Sequence, residues 1–262
     1  MPAVTQAYWQ QADSLKVDLS DGLLTIALAH AKATNPFSRV MTRALHDLAL
    51  TIQTDSTVRG VLLWGGDNRA FSVGGDFEDV SRLEHPADIR AYLLEIIDLY
   101  VVLLGIEVPV VVAIDHHAIG QGLQVALTGD WRVSTDRAQL AMPELRNGVA
   151  CPLGTVLLGE LLGRAAMQRL VIGCDTLDAN HALALGLLSE VVSPSELLAQ
   201  ARTRLQTLVA YPSTPYRLTK RLMNRPLIQS LHAVREEAAA AHIASFRERA
   251  GHAHFERILG KN

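Results

Sequence analysis

Apolar positions come in short blocks along the first half of the chain and recur at helical spacing along much of the second. Residues 15–19 and 23–29 are strand-like runs separated by Ser20-Asp21-Gly22, a hairpin signal. Ser38 stands before Val40, Ala44, Leu45, Leu48 and Ile52, whose spacing predicts a capped helix. Residues 58–64 form a β-branched and aliphatic run that ends in Gly65-Gly66, the pattern of a buried strand. Pro86 opens a helix that extends to about Leu104. Residues 110–114 predict a second buried strand, followed by a loop to Gly120 and a short helix through Thr128. Residues 131–134 predict a third strand. From Pro152 onward the pattern is mostly helical, with one last strand closing near Val191. The tail from about Ser195 is almost entirely helix and ends over 236–249, with Val234, Ala238, Ala241 and Ser245 along one stripe. Strand, loop, helix and strand in succession indicate an α/β chain with parallel strands.

Composition narrows the class. The chain has 262 residues, 49% hydrophobic and 19% charged, which suits one large domain or a core with a helical appendix and excludes a disordered or fibrous chain. A net charge of −3 and a pI near 6.4 give no sign of nucleic-acid binding. The first 16 residues are polar and contain Asp13, unlike a signal peptide. The most apolar stretch, 101–114, is interrupted by Gly105, Glu107 and Pro109 and is too short to span a bilayer. Cys151 and Cys174 lack CxxC spacing and read as free thiols of a cytoplasmic protein.

Three segments carry candidate chemistry. Arg69-Ala-Phe-Ser-Val-Gly-Gly-Asp-Phe77 places two glycines between a strand and a helix, where backbone N–H groups approach a ligand closely. Val112-Ala-Ile-Asp-His-His-Ala-Ile-Gly-Gln-Gly122 repeats that arrangement, ending at a helix start with unpaired N–H donors. Each alone reads as an ordinary turn. As a pair on neighbouring strand ends, they supply one donor each to a single carbonyl oxygen. The third segment, Met142-Pro-Glu-Leu-Arg-Asn-Gly148, offers Glu144 as an acid or base. Taken alone, Glu144 reads as a solvated loop carboxylate.

Together these segments resemble the crotonase (enoyl-CoA hydratase/isomerase) superfamily over residues 15–261. Further strings resemble the carboxymethylproline synthases of carbapenem biosynthesis: Asn35-Pro-Phe-Ser-Arg39, residues 74–77, Asp98-Leu-Tyr100, Met142-Pro-Glu-Leu145, Thr219-Lys-Arg221, 224–226, and His254-Phe255 with Leu259-Gly-Lys261. The resemblance implies a crotonase fold, a ββα spiral core over 1–194 with a C-terminal helical trimerisation region over 195–262. It implies an oxyanion hole formed by the N–H groups of Gly75 and Gln121. It makes Glu144, Gln124 and His242 catalytic, and places Val73, Gly74, Asp76, Phe77 and Tyr92 around the CoA thioester. Gln124 stands where hydratases carry their first glutamate, which argues against simple water addition, and tryptophan is the family's residue at Tyr92. The implied substrates are malonyl-CoA and pyrroline-5-carboxylate, with no metal or redox cofactor, in a homotrimer or hexamer.

From the residues themselves, His242 reads as a packed surface histidine, and His116 and His117 as loop residues. Lys220 and Arg221 read as a solvated helix face in preference to a CoA phosphate contact. The rival readings are a malonyl- or methylmalonyl-CoA decarboxylase and a non-catalytic CoA-binding scaffold.

Overall fold

The structure, a computed structural model, describes residues 14–248. The strands β1 (Leu15–Ser20) and β2 (Leu23–Leu28) pair as the expected antiparallel hairpin. Onto β2 are added β3 (Gly60–Trp64), β4 (Val110–Ile114), β6 (Trp131–Thr135) and β9 (Glu190–Val192), all in parallel, in the sheet order β1-β2-β3-β4-β6-β9. The central strands are apolar on both faces because both faces are covered. Along β4, Val110, Val112 and Ile114 join the main core, while Val111 and Ala113 join a second cluster with Leu62 and Val133. Helix α8 (Leu197–Val209) closes that second face with Leu197, Ala201, Leu205 and Leu208.

The main face carries α1 (Arg39–Thr54), capped by the Ser38 hydroxyl, and α3 (Pro86–Leu104). Ile89, Leu93, Ile97, Tyr100 and Leu104 are all buried because α3 is wedged between α1 and the last helix, α9 (Ser213–Arg247). α2 (Phe77–Val80) and α4 (Gln121–Ala126) are short turns of helix that follow the first two candidate motifs. α5 (Pro152–Leu162), α6 (Arg164–Val171) and α7 (Ala179–Ala184) occupy the segment read as mostly helical.

Three departures from the sequence reading have physical causes. A second sheet, β5 (His117–Ile119), β7 (Gln139–Ala141) and β8 (Thr176–Asp178), was not anticipated; three-residue strands are too short to carry a periodic signal. The helical tail, which the resemblance gives as a trimerisation region, also serves this chain's own core. α9 runs through Pro226 as one helix and buries Leu227, Leu231, Ala238, Ala239 and Phe246 against this chain's own α3 and α5. Lys220 is not on a solvated face and does not point to a phosphate. It is buried, donating to Asp130 Oδ2 at 2.7 Å and to the Val108 carbonyl at 2.8 Å, at the end of the sheet where the parallel strands begin. Burial pulls its ammonium below the ordinary lysine value, and Asp130 opposes that fall. Arg221 is exposed and pairs with Glu107. The string at 254–261 lies outside the described residues.

Removing one member of a buried ion pair strands the other. Lys220→Met is therefore expected to cost on the order of 3 kcal/mol in urea denaturation, whereas Arg221→Met, on the exposed neighbour, changes stability by less than about 1 kcal/mol.

Candidate active site

The loops that follow β3 and β4 meet at the C-terminal ends of these parallel strands, the usual place for a ligand in such a sheet. They are stitched together by the backbone: Ser72 N–H donates to His117 O at 2.8 Å, and Ile119 N–H donates to Ser72 O at 3.0 Å. Gly74 has φ +98°, and a Cβ there would stand 2.9 Å from Ile119 O, so the position needs glycine on both counts. Beyond it, Phe37 donates to Gly74 O and Asp76 donates to Phe37 O, a pairing that passes over the Gly75 N–H. Gln121 is the first residue of α4, and its N–H is one of that helix's unpaired donors. The two motifs touch here: a Cβ on Gly74 would lie 3.6 Å from Gln121 N, and one on Gly75 would lie 3.4 Å from Gln121 Oε1 and 3.1 Å from the Tyr92 hydroxyl of α3.

The third motif is delivered by the unanticipated sheet. β5 pairs with β7, and Gly120 N–H closes onto Ala141 O at 2.8 Å, three residues before Glu144. Gly120 has φ 52° and ψ −123°, and a side chain there would press on Glu144 Oε1 at 3.1 Å. Glu144 is thus not a solvated loop residue. Its carboxyl is buried, and desolvation pushes it up to about 7 despite hydrogen bonds from its own backbone, the Cys151 thiol and Gln124. Gln124 Nε2 donates to Glu144 Oε1 at 2.9 Å, while Gln124 Oε1 accepts from the Tyr100 hydroxyl at 2.8 Å. Glu144 Oε2 is buried with no partner among the described residues. The amide is committed at both ends to Tyr100 and Glu144.

These groups surround a cavity of about 280 Å³ between the two loops, α3, the head of α5 and the end of α9. Val73, Gly74, Gly75, Phe77, Tyr92, Gln121, Gln124, Glu144 and His242 all line it. Asp76 does not: its carboxylate caps α2 by accepting from Glu78 N–H and lies 3.5 Å from His30. Tyr92 is a buried wall whose phenol is held neutral by desolvation and nearby acidic groups. His116 and His117 lie outside the lining. His242 reaches the cavity from α9, stacked on Phe246, with Nδ1 3.2 Å from Ala238 O. That carbonyl fixes the proton on Nδ1, and desolvation lowers the imidazolium to about 4. Around pH 5–6 the cavity therefore holds a neutral acid and a neutral imidazole.

Two participants were missed. Tyr100 looks like core, being fully buried among aliphatic residues on α3, and only its hydroxyl betrays another role. Cys151 stands at the start of α5 and touches Glu144 through its thiol. The signal available for Tyr100 was its place on a helix whose other core positions are mostly aliphatic, since a buried phenol needs a partner.

A family model described as enoyl-CoA hydratase/isomerase matches residues 18–257. Carboxymethylproline synthase of Pectobacterium carotovorum subsp. carotovorum is 37% identical over 242 residues, covering 92% of this chain and 97% of that protein. Carnitinyl-CoA dehydratase of Salmonella typhi is 32% identical over 204 residues, 76% of this chain and 75% of that protein. Among solved structures, ThnE from S. clavuligerus superposes with a TM-score of 0.76 at 33% identity, covering 87% of this chain and all of that one.

The two shifted groups oppose each other in stability. Glu144 rises from 4.5 to about 7 on folding, so the folded state holds its proton more tightly and stability falls as pH climbs through that window. His242 falls from 6.5 to about 4, so its contribution rises over about pH 4–6.5 and largely masks the first. Glu144→Gln removes only the falling contribution. The variant's stability relative to wild type is expected to increase by on the order of 3 kcal/mol between pH 4.5 and 7.5. Urea denaturation at the two pH values measures this, and a constant difference would place Glu144 in water.

Proposed function

The chain belongs to the enoyl-CoA hydratase/isomerase family, and we propose that within it this enzyme performs carboxymethylproline synthesis from malonyl-CoA and pyrroline-5-carboxylate. The observation that carries this reading is the pairing of Glu144 with a neutral amide, Gln124, in place of a second carboxylate. An alkene hydratase moves protons with two carboxyl groups. Decarboxylation asks for something else: an electron sink for the thioester, and no strong base beside the carboxylate that leaves.

Malonyl-CoA loses carbon dioxide, and the electron pair of the broken carbon–carbon bond passes into the thioester as an enolate. Its oxyanion lies against the N–H groups of Gly75 and Gln121, donors fixed before charge develops and so effective without reorganisation. The enolate carbon attacks C5 of the cyclic imine, forming the new carbon–carbon bond, and the nitrogen takes a proton. Water then adds to the product thioester with Glu144 as general base, and CoA departs as the thiol. A carboxyl group that titrates at about 7 is suited to this work at neutral pH. The reading needs no metal or redox cofactor. We assign the enzyme to the cytoplasm, where its two unpaired cysteines remain reduced.

Mass spectrometry of a reaction with malonyl-CoA and pyrroline-5-carboxylate is expected to show carboxymethylproline and free CoA. Acetyl-CoA alone, with no carbon–carbon bond formed, would instead identify a decarboxylase. Glu144→Ala is expected to slow hydrolysis about 10²- to 10⁴-fold while malonyl-CoA affinity changes far less, so that product thioester accumulates.

We also propose a homotrimer, alone or paired into a hexamer. The support is the first half of α9, where Leu218, Leu222 and Met223 are 50%, 59% and 72% exposed. An apolar stripe of this kind needs a cover. Light scattering is expected to return a multiple of three times the 28.5 kDa chain mass, and a stable monomer at micromolar concentration would refute it.

A further inference from the structure

The buried phenol of Tyr100 lies one residue removed from the cavity's carboxyl group, and nothing in the reaction above uses it. Tyr100 sits on α3 with no exposed surface, and its hydroxyl donates to Gln124 Oε1. An amide has two orientations of nearly equal shape. In one, its NH2 faces Glu144 and favours the carboxylate; in the other, its carbonyl faces Glu144 and favours the protonated acid. A hydroxyl on the far side breaks that tie when it donates to the carbonyl. Gln124 Nε2 also lies 3.6 Å from Met142 Sδ, a weak acceptor that likewise suits an NH2 group there.

We propose that Tyr100 is a positioning residue that locks the Gln124 amide with its NH2 on Glu144, keeping Glu144 available as a base. The proposal rests on the reading of Glu144 as the hydrolytic base. The titratable groups about this carboxyl are Tyr100 and Tyr92 on α3, Cys151 at the head of α5, and His242 on α9. No cation is among the groups that shift it, so hydrogen bonds from its own backbone, the Cys151 thiol and the Gln124 amide are what oppose desolvation. Losing the lock therefore raises the pH at which Glu144 gives up its proton.

The test compares wild type, Tyr100→Phe, Gln124→Met and the double variant by two readouts. One is the pH profile of product-thioester hydrolysis; the other is the ¹³C carboxyl titration of Glu144, assigned by its loss in Glu144→Gln. Tyr100→Phe is expected to move the rising limb of the profile to higher pH. Hydrolysis should be about three- to tenfold slower on that limb, with the alkaline plateau within about twofold of wild type. Gln124→Met should shift the limb in the same direction, and adding Tyr100→Phe to it should shift nothing further. A uniform loss of rate with an unmoved limb and an unmoved titration would make Tyr100 merely structural and overturn the proposal. Additive shifts in the double variant would also overturn it, since Tyr100 would then not act through Gln124. A ¹³C titration that moves while the hydrolysis profile stays in place would retain Tyr100 as the lock but remove Glu144 as the base.

Discussion

The site depends on a three-residue strand being paired on both sides. Residues 117–119 take backbone hydrogen bonds from the glycine loop at Ser72 on one flank and from β7 on the other. Each of the three chemical motifs hangs from one of these segments. The Gly74-Gly75 turn follows Ser72, Gln121 and Gln124 follow β5, and Glu144 follows β7. Backbone pairing fixes positions to within fractions of an ångström. That precision suits the proposed role of the Gly75 and Gln121 N–H groups, which is to converge on one oxygen.

Around this frame the chemistry is arranged to be electrically quiet until substrate arrives. Glu144 is buried without a cation, His242 is held neutral by burial against the opposing pull of the Ala238 carbonyl, and the phenols of Tyr92 and Tyr100 are far from ionising. Below about pH 7, where Glu144 holds its proton, the groups left to meet an anion are the unpaired N–H groups of Gly75 and Gln121. In the reaction proposed above, a negatively charged enolate would find its stabilisation there, and a carboxylate entering with the substrate would meet no opposing full charge at the amide of Gln124.

Much of this was legible in the chain. The hairpin, the apolar central strands, α1 with its Ser38 cap, and α3 opening at Pro86 all announce themselves, since their periodicity extends over enough residues to be read. The paired glycine motifs and Glu144 were visible as residue types in a telling order. Hidden from view was whatever depends on distant pairing. β5, β7 and β8 exist only through their neighbours. Lys220 finds Asp130 across ninety positions of sequence, and Tyr100 reveals its hydroxyl's purpose only when Gln124 stands opposite. Burial of Glu144, which turns a loop carboxylate into a group titrating at neutral pH, likewise has no signature in its own segment.

The long last helix joins the two ends of the sheet. Lys220 pins it where the parallel strands begin, Asn224 and Arg235 tie it to α3 along the way, and His242 and Phe246 hang from it into the cavity where those strands end. Between the pin and the imidazole lie about six helical turns, some 33 Å. α9 is therefore a measuring rod. Gaining or losing a single residue between these points would swing the imidazole by about 100° and carry it off the cavity wall. Pro226 sits within this span and is accommodated without a change in count. Drift in sequence can recolour the rod's outer face freely, but its length is set by the distance between an ion pair and a pocket at opposite ends of the molecule.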